Sequence, residues 1–193
     1  MAAVKRLCVF CGASGDVDPA YRDAATRLGR LIAEAGIELV YGGGHIGLMG
    51  LLADAALKAG GKVTGVITDY LNQREIGHAG LSELVVVETM HERKQCMSEL
   101  ADAFAILPGG FGTLDETLEI LTWRQLGLHD RPLLIVNIAG YWDTLLALFE
   151  QVIAQNFAGA SARDLYRVVA GVEAVLPALA AAPAPTLPKS ALP

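Results

Sequence analysis

Short apolar runs alternate with longer segments of helical periodicity along this chain. The runs are almost entirely apolar, which is typical of strands that are buried on both faces of a parallel sheet. Between them, apolar residues recur every three or four positions, as they do in an amphipathic helix. This alternation predicts an α/β protein with a Rossmann-like, doubly wound parallel sheet in three α/β/α layers.

The predicted elements follow from this pattern and from residues that begin and end helices. Pro19 suits the first turn of a helix, and Gly36 suits its end. Strands are predicted at 6–10, 38–41, 62–67, 83–88, 103–107 and 133–138, and helices at 19–35, 47–59, 90–101, 113–126, 142–155 and 172–180. A short helix and a strand are expected between 161 and 169. Residues 68–80 fit neither pattern and are predicted to be irregular.

The length of 193 residues suits one domain. We predict that residues 1–180 form it and that the Ala/Pro-rich tail, 181–193, is disordered. The first residues lead directly into a strand and lack the apolar core of a signal peptide. No apolar run is long enough to span a bilayer. We therefore expect a cytoplasmic protein that has no membrane partner.

Charge and cysteine content exclude further classes. The net charge of −6 argues against a nucleic-acid partner, which requires a basic face. Cys8 and Cys11 resemble a redox or metal motif, but they lie along the first predicted strand, where positions three apart face opposite sides. We expect them to pack in the core. The four histidines show no zinc-ligand spacing, so no metal site is predicted.

Glycine-rich loops follow three of the predicted strands, at residues 12–15, 42–44 and 109–112. The carboxyl ends of parallel strands share one edge of the sheet, and ligands bind at that edge. The segment 90–94 opens a helix at the same edge. The topology therefore predicts one binding site there. Candidate contacts in the first two loops are Ser14, Gly43 and Gly44.

The third loop carries the strongest chemical signal. Gly109, Gly110 and Gly112 separate a buried strand from a helix, an arrangement that offers free backbone N–H groups to an anion. Glycines also let the backbone approach a phosphate closely. Glu116 follows within about one helical turn. A phosphate site beside a carboxylate predicts chemistry on a phosphorylated small molecule. The candidate phosphate and substrate contacts here are Gly109, Gly110, Phe111, Gly112 and Thr113.

Four spaced blocks, which include this loop, carry a family resemblance. They are residues 10–14 (FCGAS), 41–50 (YGGGHIGLMG), 90–94 (MHERK) and 108–116 (PGGFGTLDE). In their order and spacing they resemble the LOG ("lonely guy") family of cytokinin-activating phosphoribohydrolases, whose signature is PGGxGTxxE and which are also labelled lysine-decarboxylase-like. The resemblance spans residues 5–169.

The resemblance implies catalytic roles for Arg93 and Glu116 and places Met90 beside the base-binding pocket. The residues alone leave alternatives open. Thr113 and Glu116 also fit a capping box, in which the Glu side chain bonds the backbone N–H of the N-cap residue. Lys94 would either contact substrate or lie in solvent. Because a helix N-terminus favours an ionised carboxylate, we expect Glu116 to act as a base or to stabilise a cation.

The resemblance also implies the reaction: hydrolysis of the N-glycosidic bond of N6-modified adenosine 5′-monophosphates, the cytokinin nucleotides, without a metal or an organic cofactor. The products would be the free base and ribose 5-phosphate. The base itself is open, since plain AMP, an isopentenyl-type derivative and other monophosphates all fit. Two alternatives are a non-catalytic nucleotide-binding or carrier protein and a pyridoxal-phosphate-dependent lysine decarboxylase that would use Lys94.

A homodimer whose interface borders the active sites is a further expectation. It rests mainly on the resemblance, and two-fold dimers are the commonest symmetric assembly. The helix that follows the signature loop also carries many apolar residues, more than one face of a sheet can cover. The apolar residues predicted to serve the interface are Leu118, Leu121, Trp123 and Leu126.

Overall fold

The computed structural model of this chain describes residues 4–75 and 77–187, and within them seven parallel strands form one sheet. The strands are β1 (Arg6–Phe10), β2 (Glu38–Tyr41), β3 (Val63–Thr68), β4 (Glu83–Val87), β5 (Ala103–Ile106), β6 (Leu133–Val136) and β7 (Arg167–Val169). Their spatial order is β4-β3-β2-β1-β5-β6-β7.

Helices cover both faces of this sheet. They are α1 (Pro19–Glu34), α2 (Gly47–Lys58), α3 (Asp69–Glu75), α4 (Met90–Leu100), α5 (Phe111–Gln125), α6 (Asp143–Ala154) and α7 (Val175–Ala180). Short 3-10 segments lie at Ile138–Gly140, Ala160–Leu165 and Val172–Ala174. The predicted Rossmann-like, doubly wound α/β fold is confirmed, and most element boundaries agree within one or two residues.

The side chains of β1 alternate between two apolar cores. Leu7 and Val9 pack with α1, α2 and α7, whereas Cys8 and Phe10 pack with α4, α5 and α6. Cys11 lies in the first of these cores, so Cys8 and Cys11 are on opposite sides of the sheet. Both are free thiols and both are buried. The expectation that they serve packing is confirmed.

The strand order reverses between β1 and β5, and this switch point positions the site. From β1 the chain proceeds outward through β2, β3 and β4, then returns to β5 and continues in the other direction. The loops after β1 and β5 therefore lie side by side at the carboxyl edge, where ligands bind in such sheets. They are joined directly, because the Gly12 N–H donates to the Pro108 carbonyl at 3.0 Å.

The prediction that residues 68–80 are irregular is wrong for α3. Thr68 begins this helix, since its Oγ1 accepts a hydrogen bond from the Leu71 N–H at 3.3 Å. A helix of seven residues is too short to form alone in water and too short to show clear apolar periodicity. Packing against β3 and β4 stabilises it instead. Ile76 lies outside the described residues.

The start of the C-terminal tail is anchored to the loop that precedes β6. The Asp130 carboxylate accepts hydrogen bonds from the Thr186 N–H (2.6 Å), the Thr186 Oγ1 (2.7 Å) and the Leu187 N–H (3.3 Å). One side chain outside the tail therefore satisfies several tail donors. Disorder of residues 181–193 stays a prediction from composition. Residues 188–193 of that prediction lie outside the described part.

Candidate active site

A buried arginine on α4 ties three elements together. Arg93 donates from Nε to the Val66 carbonyl of β3 (2.9 Å), from Nη2 to the Gly42 carbonyl after β2 (3.0 Å) and from Nη1 to Glu116 Oε1 on α5 (3.1 Å). Its side chain is almost fully buried. The predicted partners Arg93 and Glu116, which are 23 positions apart in sequence, are therefore in direct contact.

A capping box at the start of α4 sets the direction of this arginine. Thr89 Oγ1 accepts from the Glu92 N–H, and the Glu92 side chain accepts from the Thr89 N–H. The helix therefore begins directly after β4, and Arg93, in its first turn, lies over the ends of β2 and β3. The charged segment 92–94 is thus not a uniformly solvated helix face.

Packing and backbone conformation within the chain explain the glycines after β2. A Cβ on Gly42 would lie 2.1 Å from Arg93 Nη2, so only glycine leaves room for the guanidinium. Gly43 has a φ of +75° and packs against Ile67, and Gly44 pairs with Gly77. Gly43 and Gly44 are buried beneath the segment that follows α3. Ligand contact through them stays a prediction.

Glu116 lies in the second turn of α5 and is buried. Burial raises the pKa of its carboxyl to about 7, although the charge and hydrogen bond of Arg93 oppose this shift. Burial therefore opposes the ionised form that a helix N-terminus favours, and its effect on the pKa is larger than that of Arg93. A role for Glu116 as a base or as a stabiliser of a cation stays a prediction. Near neutral pH this carboxyl exists in both protonation states.

The capping-box interpretation of Thr113 and Glu116 is also wrong. The N-cap residue of α5 is Gly110, three positions earlier than that interpretation requires, and no side chain among the described residues caps this helix end. Glu116 bonds Arg93 instead of a backbone N–H. Thr113 is buried within the first turn and lies against Gly109, where an added Cβ would be 2.1 Å from Thr113 Oγ1.

A cavity of about 310 Å³ opens at the N-terminus of α5. Its lining includes Gly12, Ser14, Gly109, Gly110 and Tyr141. The first N–H groups of a helix have no partner within the helix, and here no side chain in the described part of the chain caps them. These donors and the positive end of the helix dipole suit an anion. The cavity therefore has the features of the predicted phosphate site.

Two glycines of the signature loop have no steric role within the chain. A Cβ added to Gly110 or to Gly112 would meet nothing within 4 Å, unlike one added to Gly109. Both residues are exposed, and neither has a positive φ. This open space lets a ligand or a second chain approach the backbone closely at these two glycines.

The other predicted contacts have different surroundings. Phe111 is 91% exposed and Met90 is 43% exposed, both at the carboxyl edge. Lys94 is not free in solvent, because its Nζ pairs with Asp115 (3.1 Å) and Glu119 (3.0 Å). Substrate contact through Lys94 stays a prediction. Burial alone would lower the pKa of Lys94, but these two carboxylates raise it.

Tyr141 is a site residue that the sequence reasoning missed. It follows β6, whose carboxyl end reaches the same edge, after a turn in which Ala139 and Gly140 have φ values of +50° and +75°. Its hydroxyl donates to the Gly109 carbonyl at 2.6 Å. Tyr141 belongs to no sequence motif. Its position just after a strand that ends at the ligand-binding edge of the sheet is the signal that would have identified it.

Neither a metal cluster nor a membrane span is found in the part of the chain that the structure describes. Among residues 4–75 and 77–187, no three His, Cys, Asp or Glu side chains are grouped to hold a metal ion. No helix in these ranges is long and apolar enough to cross a bilayer.

Sequence comparison identifies the family of this chain. A family model described as possible lysine decarboxylase matches residues 49–179. A probable cytokinin riboside 5'-monophosphate phosphoribohydrolase of Oryza sativa subsp. japonica is 48% identical over 160 residues, which cover 83% of this chain and 72% of the relative. A cytokinin riboside 5'-monophosphate phosphoribohydrolase of Arabidopsis thaliana is 45% identical over 161 residues, 83% of this chain and 76% of the relative. This chain belongs to the LOG family.

Solved structures extend the likeness of this LOG family member to the fold. The molybdenum cofactor carrier protein of Chlamydomonas reinhardtii superposes with a TM-score of 0.70 at 20% identity, over 92% of this chain and 96% of that protein. The molybdenum cofactor binding protein of Rippkaea orientalis gives 0.69 at 20% identity, over 93% and 98%. At this identity the likeness concerns the fold alone.

Proposed function

We propose that this protein hydrolyses the N-glycosidic bond of a nucleoside 5′-monophosphate of the cytokinin type, an N6-modified AMP. The products are the free base and ribose 5-phosphate. One observation carries the proposal: the buried Arg93–Glu116 pair involves the second turn of a helix whose N-terminus suits a phosphate. The activity named for the rice and Arabidopsis relatives supports the same reaction.

The reaction needs a negative charge beside the sugar. As the bond between C1′ and the base nitrogen breaks, positive charge develops on the ribose, as in other glycoside hydrolyses. Ionised Glu116 stabilises that charge and accepts a proton from the attacking water. The water oxygen bonds to C1′, and the departing base takes up a proton. The 5′-phosphate, held at α5, fixes the ribose so that a non-reacting group contributes the positioning.

Arg93 holds the carboxylate in place. Its two bonds to the carbonyls of Val66 and Gly42 fix the guanidinium, so that the third bond orients Glu116 Oε1. The positive charge also favours the ionised form of Glu116 against the effect of burial. Arg93 therefore sets both the direction and the ionised fraction of the reacting carboxyl.

A pyridoxal-phosphate-dependent decarboxylase is the less favoured alternative. Its lysine must lose a proton before it can form a Schiff base. Lys94 pairs with Asp115 and Glu119, and these carboxylates raise its pKa, which stabilises the protonated amine. A non-catalytic nucleotide carrier is the second alternative, and the assay below distinguishes it directly.

We further infer that the protein acts as a homodimer. Of the four apolar residues on which this expectation rests, Leu121 is buried and Trp123 packs partly within the chain. Leu118 and Leu126 are exposed, as is Phe157 after α6. A second copy would cover these apolar side chains. The cytoplasmic location stays a prediction.

The test is release of free base from defined nucleotides. Purified protein is incubated with AMP, with N6-isopentenyl AMP, with other monophosphates and with adenosine. We expect base and ribose 5-phosphate from at least one monophosphate and far slower release from the nucleoside. Release from none would contradict catalysis and favour a carrier. Comparable kcat/KM for adenosine and AMP would contradict the phosphate site.

Substitutions test the assigned residues. Arg93→Ala, Glu116→Ala and Glu116→Gln should each lose most of the activity, the glutamine variant because it lacks the charge. Glu119→Gln, which makes the same change one turn later on α5, is the matched control and should retain activity. If Glu116→Gln retained near-native activity, a catalytic role for the Glu116 charge would be excluded.

A further inference from the structure

Tyr141 is held rigidly beside the signature loop. Its ring stands edge-on to Tyr21 (5.4 Å between centroids) and to Trp142 (4.7 Å). The next residue is tied back to β6, because the Trp142 N–H donates to Asn137 Oδ1 at 2.8 Å. Neither contact involves the Tyr141 hydroxyl, which is therefore available for its bond to the Gly109 carbonyl.

That bond controls the peptide between Gly109 and Gly110. A trans peptide is planar, so its carbonyl and its N–H point in opposite directions. Fixing the Gly109 oxygen therefore fixes the direction of the Gly110 N–H, at the N-cap position of α5. Two consecutive glycines restrict the backbone weakly, and without the tether this peptide could turn its oxygen toward an anion.

We propose that Tyr141 is a positioning residue that orients the Gly109–Gly110 peptide for binding of the substrate 5′-phosphate. The inference rests on the proposed function, since it assumes that the cavity at α5 holds a phosphate. Tyr141 acts through the loop and takes no part in bond breaking. Its loss should weaken phosphate binding equally in the ground state and the transition state, which raises KM and leaves kcat nearly unchanged.

Tyr141→Phe is the direct test, because it removes the hydroxyl and keeps the ring. By calorimetry, we expect the Kd for inorganic phosphate and for ribose 5-phosphate to rise about three- to tenfold, the effect of one lost hydrogen bond. KM for the nucleotide should rise by the same factor, and kcat should change less than about twofold. Tyr166→Phe removes the hydroxyl of a tyrosine that lies after α6, and it should alter neither the Kd for phosphate nor the KM for the nucleotide.

A second measurement separates positioning from direct contact with phosphate. In the ligand-free protein, the amide signal of Gly110 should shift and broaden in Tyr141→Phe, because the preceding carbonyl loses its partner. Unchanged phosphate affinity in this variant, or an unchanged Gly110 signal, would overturn the inference. If the unmodified protein bound no phosphate or ribose 5-phosphate at all, the proposed phosphate site itself would fail, which is a distinguishable result.

Discussion

Burial changes the acid–base properties of individual side chains at the candidate site. Glu116 is surrounded by protein, and its pKa of about 7 lies far above that of an exposed glutamate. A base with a pKa near the working pH combines a useful ionised fraction with real proton affinity. Arg93 moderates the shift, so the two side chains are electrostatically coupled.

The ionisation of Glu116 predicts the pH dependence of the reaction. Since the ionised form is the active one, kcat/KM should rise as pH increases through about 7 and then level off. Arg93→Gln removes a charge that lowers the pKa of Glu116, so the ascending limb of the residual activity should move to higher pH. The profiles of both proteins are measured from pH 5 to 9 with one nucleotide. A limb that falls through this range would identify the protonated carboxyl as the active form.

At the scale of elements, the segment after α3 covers the loop that holds Arg93. The His78 N–H donates to the Gly43 carbonyl at 3.2 Å, and Gly77 pairs with Gly44. The His78 ring bonds Asp54 Oδ1 through Nε2 at 2.8 Å, and its Nδ1 accepts from the Gly80 N–H at 3.1 Å. This ring therefore joins α2 to the segment and, through it, supports the loop at Gly42.

Removal of the His78 ring should loosen that support. We expect His78→Ala to lower kcat about three- to tenfold, because a small displacement of Arg93 misaligns Glu116. Asp54→Asn keeps an acceptor for Nε2 and should retain most of the activity. Glu150→Ala breaks an exposed ion pair with Arg163 and serves as the control. Native kcat in His78→Ala, or an equal loss in the control, would contradict this role.

At the scale of the whole molecule, the exposed apolar residues near α5 and α6 indicate where a second copy would bind. Leu118 lines an apolar cavity of about 200 Å³ between α5 and α6. Leu126, which follows α5, and Phe157, which follows α6, are exposed. The opposite layer, formed by α1, α2 and α7, has its apolar residues in the core. An interface is therefore expected on the α5–α6 side.

Light scattering coupled to gel filtration tests the dimer. At micromolar concentration the mass should be about twice the 20.3 kDa of one chain. Leu118→Asp should shift it toward a single chain, because a buried, unpaired carboxylate is costly in an interface. Thr26→Asp, on the exposed face of α1, introduces the same charge in the other layer and should leave the mass unchanged. A fully active monomer would contradict the proposed assembly.

The fold class could be predicted from the order of the amino acids, as could the sheet edge at which the candidate site lies. Apolar alternation depends on local sequence, so the parallel sheet, its two helical layers and the loops at its carboxyl edge could be predicted. The signature from Pro108 to Glu116 was equally readable, because strand, glycine turn and helix are consecutive. Helix α3 was missed, because its stability comes from β3 and β4 rather than from its own seven residues.

The contacts between the candidate site residues could not be predicted, because they depend on the folded chain. The partners of Arg93 come from three distant elements, and two of them are backbone carbonyls that no side-chain pattern records. The hydroxyl of Tyr141 reaches a carbonyl 32 positions away. The pKa of Glu116 depends on how completely the assembled chain excludes water, and its sequence position at a helix start predicted the opposite direction. Desolvation and long-range contacts depend on the whole folded molecule, so they cannot be predicted from a linear sequence pattern.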